Sequence, residues 1–320
     1  MSRTQFGGLA PDAGRRAGGW VRVPGVEPPW EMPAFVIRGR QPGPTLAVTA
    51  GIHAAEYPGI ASATRLAREV DPAALRGTLI VVSPVNSPGF YERSMYTNPV
   101  DGKNINRTFP GDPAGSAAQR VTHFLTTELI TGADAYVDLH GGDLIEALVP
   151  FAIYQQTGRA DVDGRAQALA DAYGLEYVLA APADALRGTS YSAAARLGVP
   201  SIIAEVGQQG IYDQDSVERH LAGLRNVLVH LRMLEGRPAP VTRPQRLSRF
   251  AWMYADATAT YHPIVAAGQV VTEGQSIGAL RDIFGETLQE LRAPAGGPVL
   301  FLVTALAVKK GDPLIGIGVP

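Results

Sequence analysis

The sequence predicts an α/β fold followed by a small all-β domain, and three observations carry the prediction. From residue 20 to 235, strand-like apolar runs alternate with amphipathic helical runs, the pattern of a sheet with helices on both faces. From 250 to 320, short apolar segments are separated by Gly and Asp and no helical period appears. Between them, Gly236-Arg237-Pro238-Ala239-Pro240 shifts the composition to Pro and Arg, which reads as a linker over 236–249. The expected division is therefore 1–243 and 244–320.

Each element has its own signal. Trp20–Val23, Ala34–Arg38 and Thr45–Ala50 are extended runs punctuated by Pro and Gly. Ile60, Ala63, Leu66, Ala67 and Val70 share one face of a helix over 60–70, with Arg65, Arg68 and Glu69 opposite. Thr78–Val82 lacks polar alternation, as expected for a strand covered on both faces. Residues 84–115 form a long loop rich in Pro, Asn and Gly; loops of this length are usually functional. Helix is expected over 117–130, 163–173, 190–197 and 216–235. In the last, Val217, Leu221, Leu224, Leu228, Leu231 and Leu234 recur at helical spacing. Strands are expected at 135–139, 148–154 and 201–204.

Composition excludes several classes. A chain of 320 residues with 46% hydrophobic and 18% charged residues can bury a sizeable core. A net charge of −2 without a long basic run argues against nucleic acid. With no cysteine, any transition metal must sit on His and carboxylates. No apolar run approaches a membrane span, and Met1 to Gly19 shows no apolar signal core. A soluble cytoplasmic protein is expected, with no membrane partner; a homo-oligomer is left open.

The chemistry begins at Gly51-Ile52-His53-Ala54-Ala55-Glu56, directly after the apolar run 45–50. Imidazole and carboxylate three residues apart can reach one ion from a single turn of backbone. Taken alone the pair is weak evidence, and a surface histidine near a helix start is its first explanation. His140 ends the strand run Ala135–Leu139, where ligands of open α/β sheets bind. Taken alone, it reads first as a hydrogen-bonded core histidine. Asp138 lies two residues earlier on the same strand face and could orient an imidazole, or cap a loop. In the long loop, Asn106-Arg107 suits a substrate carboxylate, with Arg93 as a second cation. Turn formation and a surface ion pair are the ordinary alternatives. Glu205, at the end of the run Ser201–Ala204, is a candidate general base or simply a loop carboxylate.

In this order, His-x-x-Glu, Asn-Arg-x-Phe-Pro-Gly (106–111), Asp-Leu-His (138–140) and Glu-x-Gly (205–207) resemble the succinylglutamate desuccinylase/aspartoacylase family, related to the zinc carboxypeptidases. The resemblance covers roughly residues 30–320. It implies a zinc carboxypeptidase-like mixed sheet flanked by helices, with one zinc on His53, Glu56 and His140. Glu205 would be the general base and acid, and Asn106 and Arg107 would hold the substrate carboxylate. Arg93 would polarise the scissile carbonyl. The implied activity is a zinc-dependent deacylase that cleaves the amide of an N-acyl amino acid through attack of a metal-bound water. A peptide-trimming metallocarboxypeptidase and a non-catalytic binding protein on the same fold are the alternatives. The segments at 266–275, 292–297 and 308–314 resemble biotinyl/lipoyl-like β modules, but the hairpin after Ala293-Pro294 has no carrier lysine. The implied role of this β domain is to wall the mouth of the site, with Tyr254 or Tyr261 as residues that could reach substrate.

Overall fold

In the computed structural model, described for residues 3–183, 185, 187–239 and 243–320, the strand and helix runs assemble around one nine-stranded mixed sheet. In chain order its first half is β1 (Arg15–Arg22), β2 (Glu31–Arg38), β3 (Gln41–Ala50), α1 (Tyr57–Glu69), β4 (Arg76–Val82), α2 (Ser87–Glu92), α3 (Ala117–Leu125) and β5 (Ala135–His140). There follow β6 (Glu146–Leu148), β7 (Phe151–Gln155), α4 (Ala160–Tyr173), β8 (Tyr177–Ala181), α5 (Ser190–Arg196), β9 (Ser201–Glu205), α6 (Gln214–His230) and β10 (Gln245–Leu247). The strand order is β1-β2-β4-β3-β5-β9-β7-β8-β10.

The centre of the sheet explains the position of the site. β3, β5 and β9 are adjacent and parallel, so their carboxyl ends meet on one edge. Ala50 pairs with Leu139, and His140 with Glu205. β5 and nearly all of β9 are buried, which is why both read as continuous apolar runs. One face of the sheet packs on α1, α4 and α6 through Leu66, Leu169 and Leu224; the other packs on α3 and α5 through Val121, Leu125 and Ala194. No helix of the described residues is long and apolar enough to cross a membrane.

The C-terminal strands are β11 (Arg249–Tyr254), β12 (Ala259–Pro263), β13 (Val270–Val271), β14 (Ser276–Arg281), β15 (Thr287–Arg292), β16 (Gly297–Val303), β17 (Ala307–Val308) and β18 (Pro313–Val319). They form two further sheets around Leu280, Val299, Leu314 and Ile317. The all-β reading of 250–320 therefore holds.

Several boundaries differ from the sequence expectation. The strand expected over 148–154 is two strands broken at Pro150, which has no N–H for a ladder. β6 pairs with β16 of the C-terminal sheet and β7 with the central sheet, so the break sends one chain into two layers. Within the expected linker, β10 pairs with β8 and extends the large sheet. The linker residues 240–242 lie outside the described residues. Asp213 starts α6 two residues before the expected point, its side chain accepting from the Ser216 N–H at 2.8 Å.

Candidate active site

His53, Glu56, Asn106, Arg107, His140 and Glu205 line one cleft of about 140 Å³ at the carboxyl ends of β3, β5 and β9. Gly51 lets β3 turn into it. Its φ is +69°, and a Cβ there would stand 2.8 Å from Ile60 and Pro84. Pro58 then opens α1 and leaves Glu56 at the N-cap position, facing back toward the strand ends.

The three sequence-expected ligands converge. One carboxylate oxygen of Glu56 lies 2.8 Å from His53 Nδ1 and the other 2.9 Å from His140 Nδ1. One ligand atom from each residue fits within 4.8 Å of the others, so this group could hold a metal ion. The opposite ring nitrogens are each given to an oxygen. His53 Nε2 is 3.2 Å from Asn104 Oδ1, and His140 Nε2 is 3.0 Å from Asp138 Oδ2. Asn104 Oδ1 also accepts from the Asn106 N–H at 2.9 Å, which fixes that amide's orientation. In the neutral tautomer that donates Nε2–H outward, each Nδ1 lone pair faces the carboxylate. Glu56 Oε2 is buried and, despite its 2.9 Å approach, is left without a hydrogen bond. Lone pairs converging in this way require a proton or a cation between them. Two outward-bonded imidazoles and a carboxylate are the donor set and outer-shell pattern of a zinc site.

Asp138 is itself fixed. It is fully buried and accepts from the Thr49 hydroxyl at 2.6 Å and from the Ser190 hydroxyl. His220 on α6 closes the other side, with Nε2 3.2 Å from the backbone carbonyls of both His140 and Val206. The sequence treats His220 only as a helix residue.

Charges reinforce the arrangement. Burial would raise the Glu56 carboxyl, but His140 and then His53 outweigh it and hold the group at about 2. Burial would lower His140; Asp138 and Glu56 raise it well above the usual imidazole range. Glu205 is pushed well above the usual carboxylate range, chiefly by burial and further by Glu56. Its register partner His140 pulls the other way.

The loop brings in the remaining groups. Asn104, Ile105 and Asn106 enter a 3₁₀ turn, Ile105–Arg107. Asn106 Oδ1 accepts from the Ser190 N–H at 2.9 Å, turning its amide nitrogen toward His140. Gly188, at φ +85°, lies so close to the Arg107 carbonyl that a Cβ would meet it at 2.6 Å. The guanidinium of Arg107 donates to the Asn106 carbonyl at 2.7 Å and stands exposed at the cleft mouth. Arg93 lies outside this lining, exposed at the C-cap of α2 with φ 55°.

Two contributors carry no sequence signal. Glu146 enters the cleft from β6, and its oxygens accept from the Tyr96 hydroxyl and the Asp143 N–H, each at 2.9 Å. Phe250, Trp252 and Phe301 of the C-terminal strands form an aromatic wall. Neither expected tyrosine lines the cleft: Tyr261 is a core residue and Tyr254 is exposed.

Comparison with known proteins identifies the family and the fold. Residues 42–231 match the family model of the succinylglutamate desuccinylase/aspartoacylase catalytic domain. The chain is 30% identical over 290 residues to N-alpha-acetyl-L-2,4-diaminobutyric acid deacetylase of Halomonas elongata, covering 88% of this chain and 83% of that protein. Among solved structures it is similar to the product-bound ectoine utilization protein EutE (DoeB) of Ruegeria pomeroyi, with TM-score 0.87, 25% identity and 95% of each chain covered. It is also similar to a succinylglutamate desuccinylase/aspartoacylase of Rhodobacter sphaeroides, with TM-score 0.84, 28% identity and 96% of each chain covered.

Proposed function

The chain belongs to the succinylglutamate desuccinylase/aspartoacylase family, and on that premise we propose that it is a zinc-dependent deacylase of small N-acyl amino acids. The activities of its relatives, a deacetylase and a desuccinylase, support amide hydrolysis as the reaction class. One observation carries the zinc assignment: Glu56 sits between two Nδ1 atoms at 2.8 and 2.9 Å with an unsatisfied oxygen.

Zinc bound by His53, Glu56 and His140 would supply a Lewis acid and lower the pKa of a water to about 7. Glu205 takes the proton of the attacking water and delivers it to the leaving amine. Its place suits the task, since its register partner is His140 and its carboxyl reaches the same cleft. Asn106 and Arg107 hold the substrate carboxylate through an amide N–H and a guanidinium fork. Arg93 is proposed as the cation that stabilises the oxyanion. Two residues separate it from Tyr96, whose ring meets His53 edge-on at 6.3 Å.

The cleft is small, about 140 Å³, and the aromatic wall of β11 and β16 bounds it. This favours a small amide over a peptide. An N-acetyl diamino acid is the first candidate, because the Halomonas relative is a diaminobutyrate deacetylase. In this reading residues 1–243 carry the chemistry and 244–320 wall the site. The protein works in the cytoplasm on a small molecule bearing a carboxylate, without nucleic acid or membrane. The test is hydrolysis of a panel of N-acyl amino acids and short peptides, with and without chelator. Preferential, chelator-sensitive hydrolysis of the N-acyl amino acids is expected; turnover of peptides alone contradicts it.

A further inference from the structure

Glu146 is a carboxylate in the cleft whose charge Arg107 feels without closing an ion pair with it. It is half-buried at the start of β6, in register with Val303 of β16, and lines the same cleft as Arg107 and Glu205. Its two hydrogen-bond donors, the Tyr96 hydroxyl and the Asp143 N–H, are both neutral. Among the described residues it takes part in no ion pair. A carboxylate offers about four acceptor positions, so some remain open. Burial, and further the charge of Glu56, push its carboxyl up to about 7 against its two hydrogen bonds and the weaker pull of His53.

One further observation points to a ligand there. Trp252 packs against Phe250 at 4.9 Å and against Phe301 at 5.3 Å, and aromatic faces attract ammonium groups.

We propose that Glu146 determines specificity by receiving a second, positively charged amine of the substrate, which makes the preferred substrate an N-acyl diamino acid. Arg107 takes the α-carboxylate, the amide lies at the His53–Glu56–His140 centre, and the distal ammonium meets Glu146. Tyr96 is a positioning residue that fixes the Glu146 carboxylate. Substrates with an acidic side chain would set carboxylate against carboxylate and be disfavoured. This inference rests on the deacylase reading above.

The test compares the zinc-supplemented full-length protein on N-acetyl-2,4-diaminobutyrate, N-acetyl-2-aminobutyrate and N-acetylaspartate. A charge-assisted pair predicts a kcat/KM ratio of diamino over neutral substrate of about tenfold or more, carried by KM. In Glu146→Gln that ratio should fall toward one. In Glu146→Asp, which keeps the charge, it should be partly retained; this variant stands in if the first fails to fold. An unchanged ratio in Glu146→Gln, or a wild type that prefers the neutral or acidic substrate, overturns the proposal. Calorimetric binding of 2,4-diaminobutyrate against 2-aminobutyrate reads the same contact without turnover. If none of the three amides is hydrolysed, the deacylase reading fails. The binding comparison still decides Glu146, because equal binding of the two amino acids overturns its role.

Discussion

Asp138 Oδ2 lies 3.0 Å from His140 Nε2, so the residue two places before the candidate ligand fixes which imidazole nitrogen faces Glu56. The Thr49 and Ser190 hydroxyls hold Asp138 in turn. Replacing Asp138 by Asn should weaken zinc binding by about 10–100-fold, as loss of an outer partner usually does. Zinc titration against a competing chelator measures this, and unchanged affinity would remove Asp138 from the site.

Glu205 and the three proposed ligands are separable by mutation. Glu205→Gln should keep its zinc while losing about 10²–10⁴-fold in turnover, the typical worth of positioned proton transfer. Metal content and kcat measured on one preparation decide the matter. A variant that retains most of its turnover takes the base role away from Glu205.

The two arginines should fail differently. Arg107→Ala is expected to raise KM for substrates bearing a carboxylate, because the cleft loses its guanidinium. Arg93→Ala should lower kcat with a smaller effect on KM, because an oxyanion develops only in the transition state. Loss of the same parameter in both variants would show that the roles are wrongly divided.

His220 makes stability depend on pH. Burial, partly offset by its backbone hydrogen bonds, holds its imidazole down at about 4. An unfolded histidine titrates near 6.5, so between about 4 and 6.5 the unfolded chain binds more protons. Stability therefore rises with pH through this window, and the contribution is lost as pH falls from about 6.5 to 4. The shift corresponds to about 3 kcal/mol. Urea unfolding of wild type and His220→Gln from pH 4 to 8 should show the gap between them narrowing toward acid. A gap independent of pH would mean that His220 does not titrate in this way.

Much of this was legible in the sequence because it is local. His53 and Glu56 share one turn, Asp138 and His140 share one strand face, and Glu205 ends its own strand. Parallel pairing of β3, β5 and β9 then brings these segments together. What the sequence concealed depends on distant pairing. Glu146 reaches the cleft because β6 pairs with β16, about 155 residues away along the chain. Nothing in Gln245-Arg246-Leu247 suggests a strand; its pairing with Tyr177–Leu179 makes it one. His220 lies on a helix whose spacing announces only a core face, yet its ring bonds to the backbone of β5.

Hydrolysis should depend on a zinc held by His53, Glu56 and His140. Elemental analysis paired with activity on an N-acetyl diamino acid tests it most directly. About one zinc per chain is expected, with loss of both metal and activity in His140→Ala and on chelation, and recovery of the chelated wild type with zinc. Full activity in protein shown to be free of metal would contradict it.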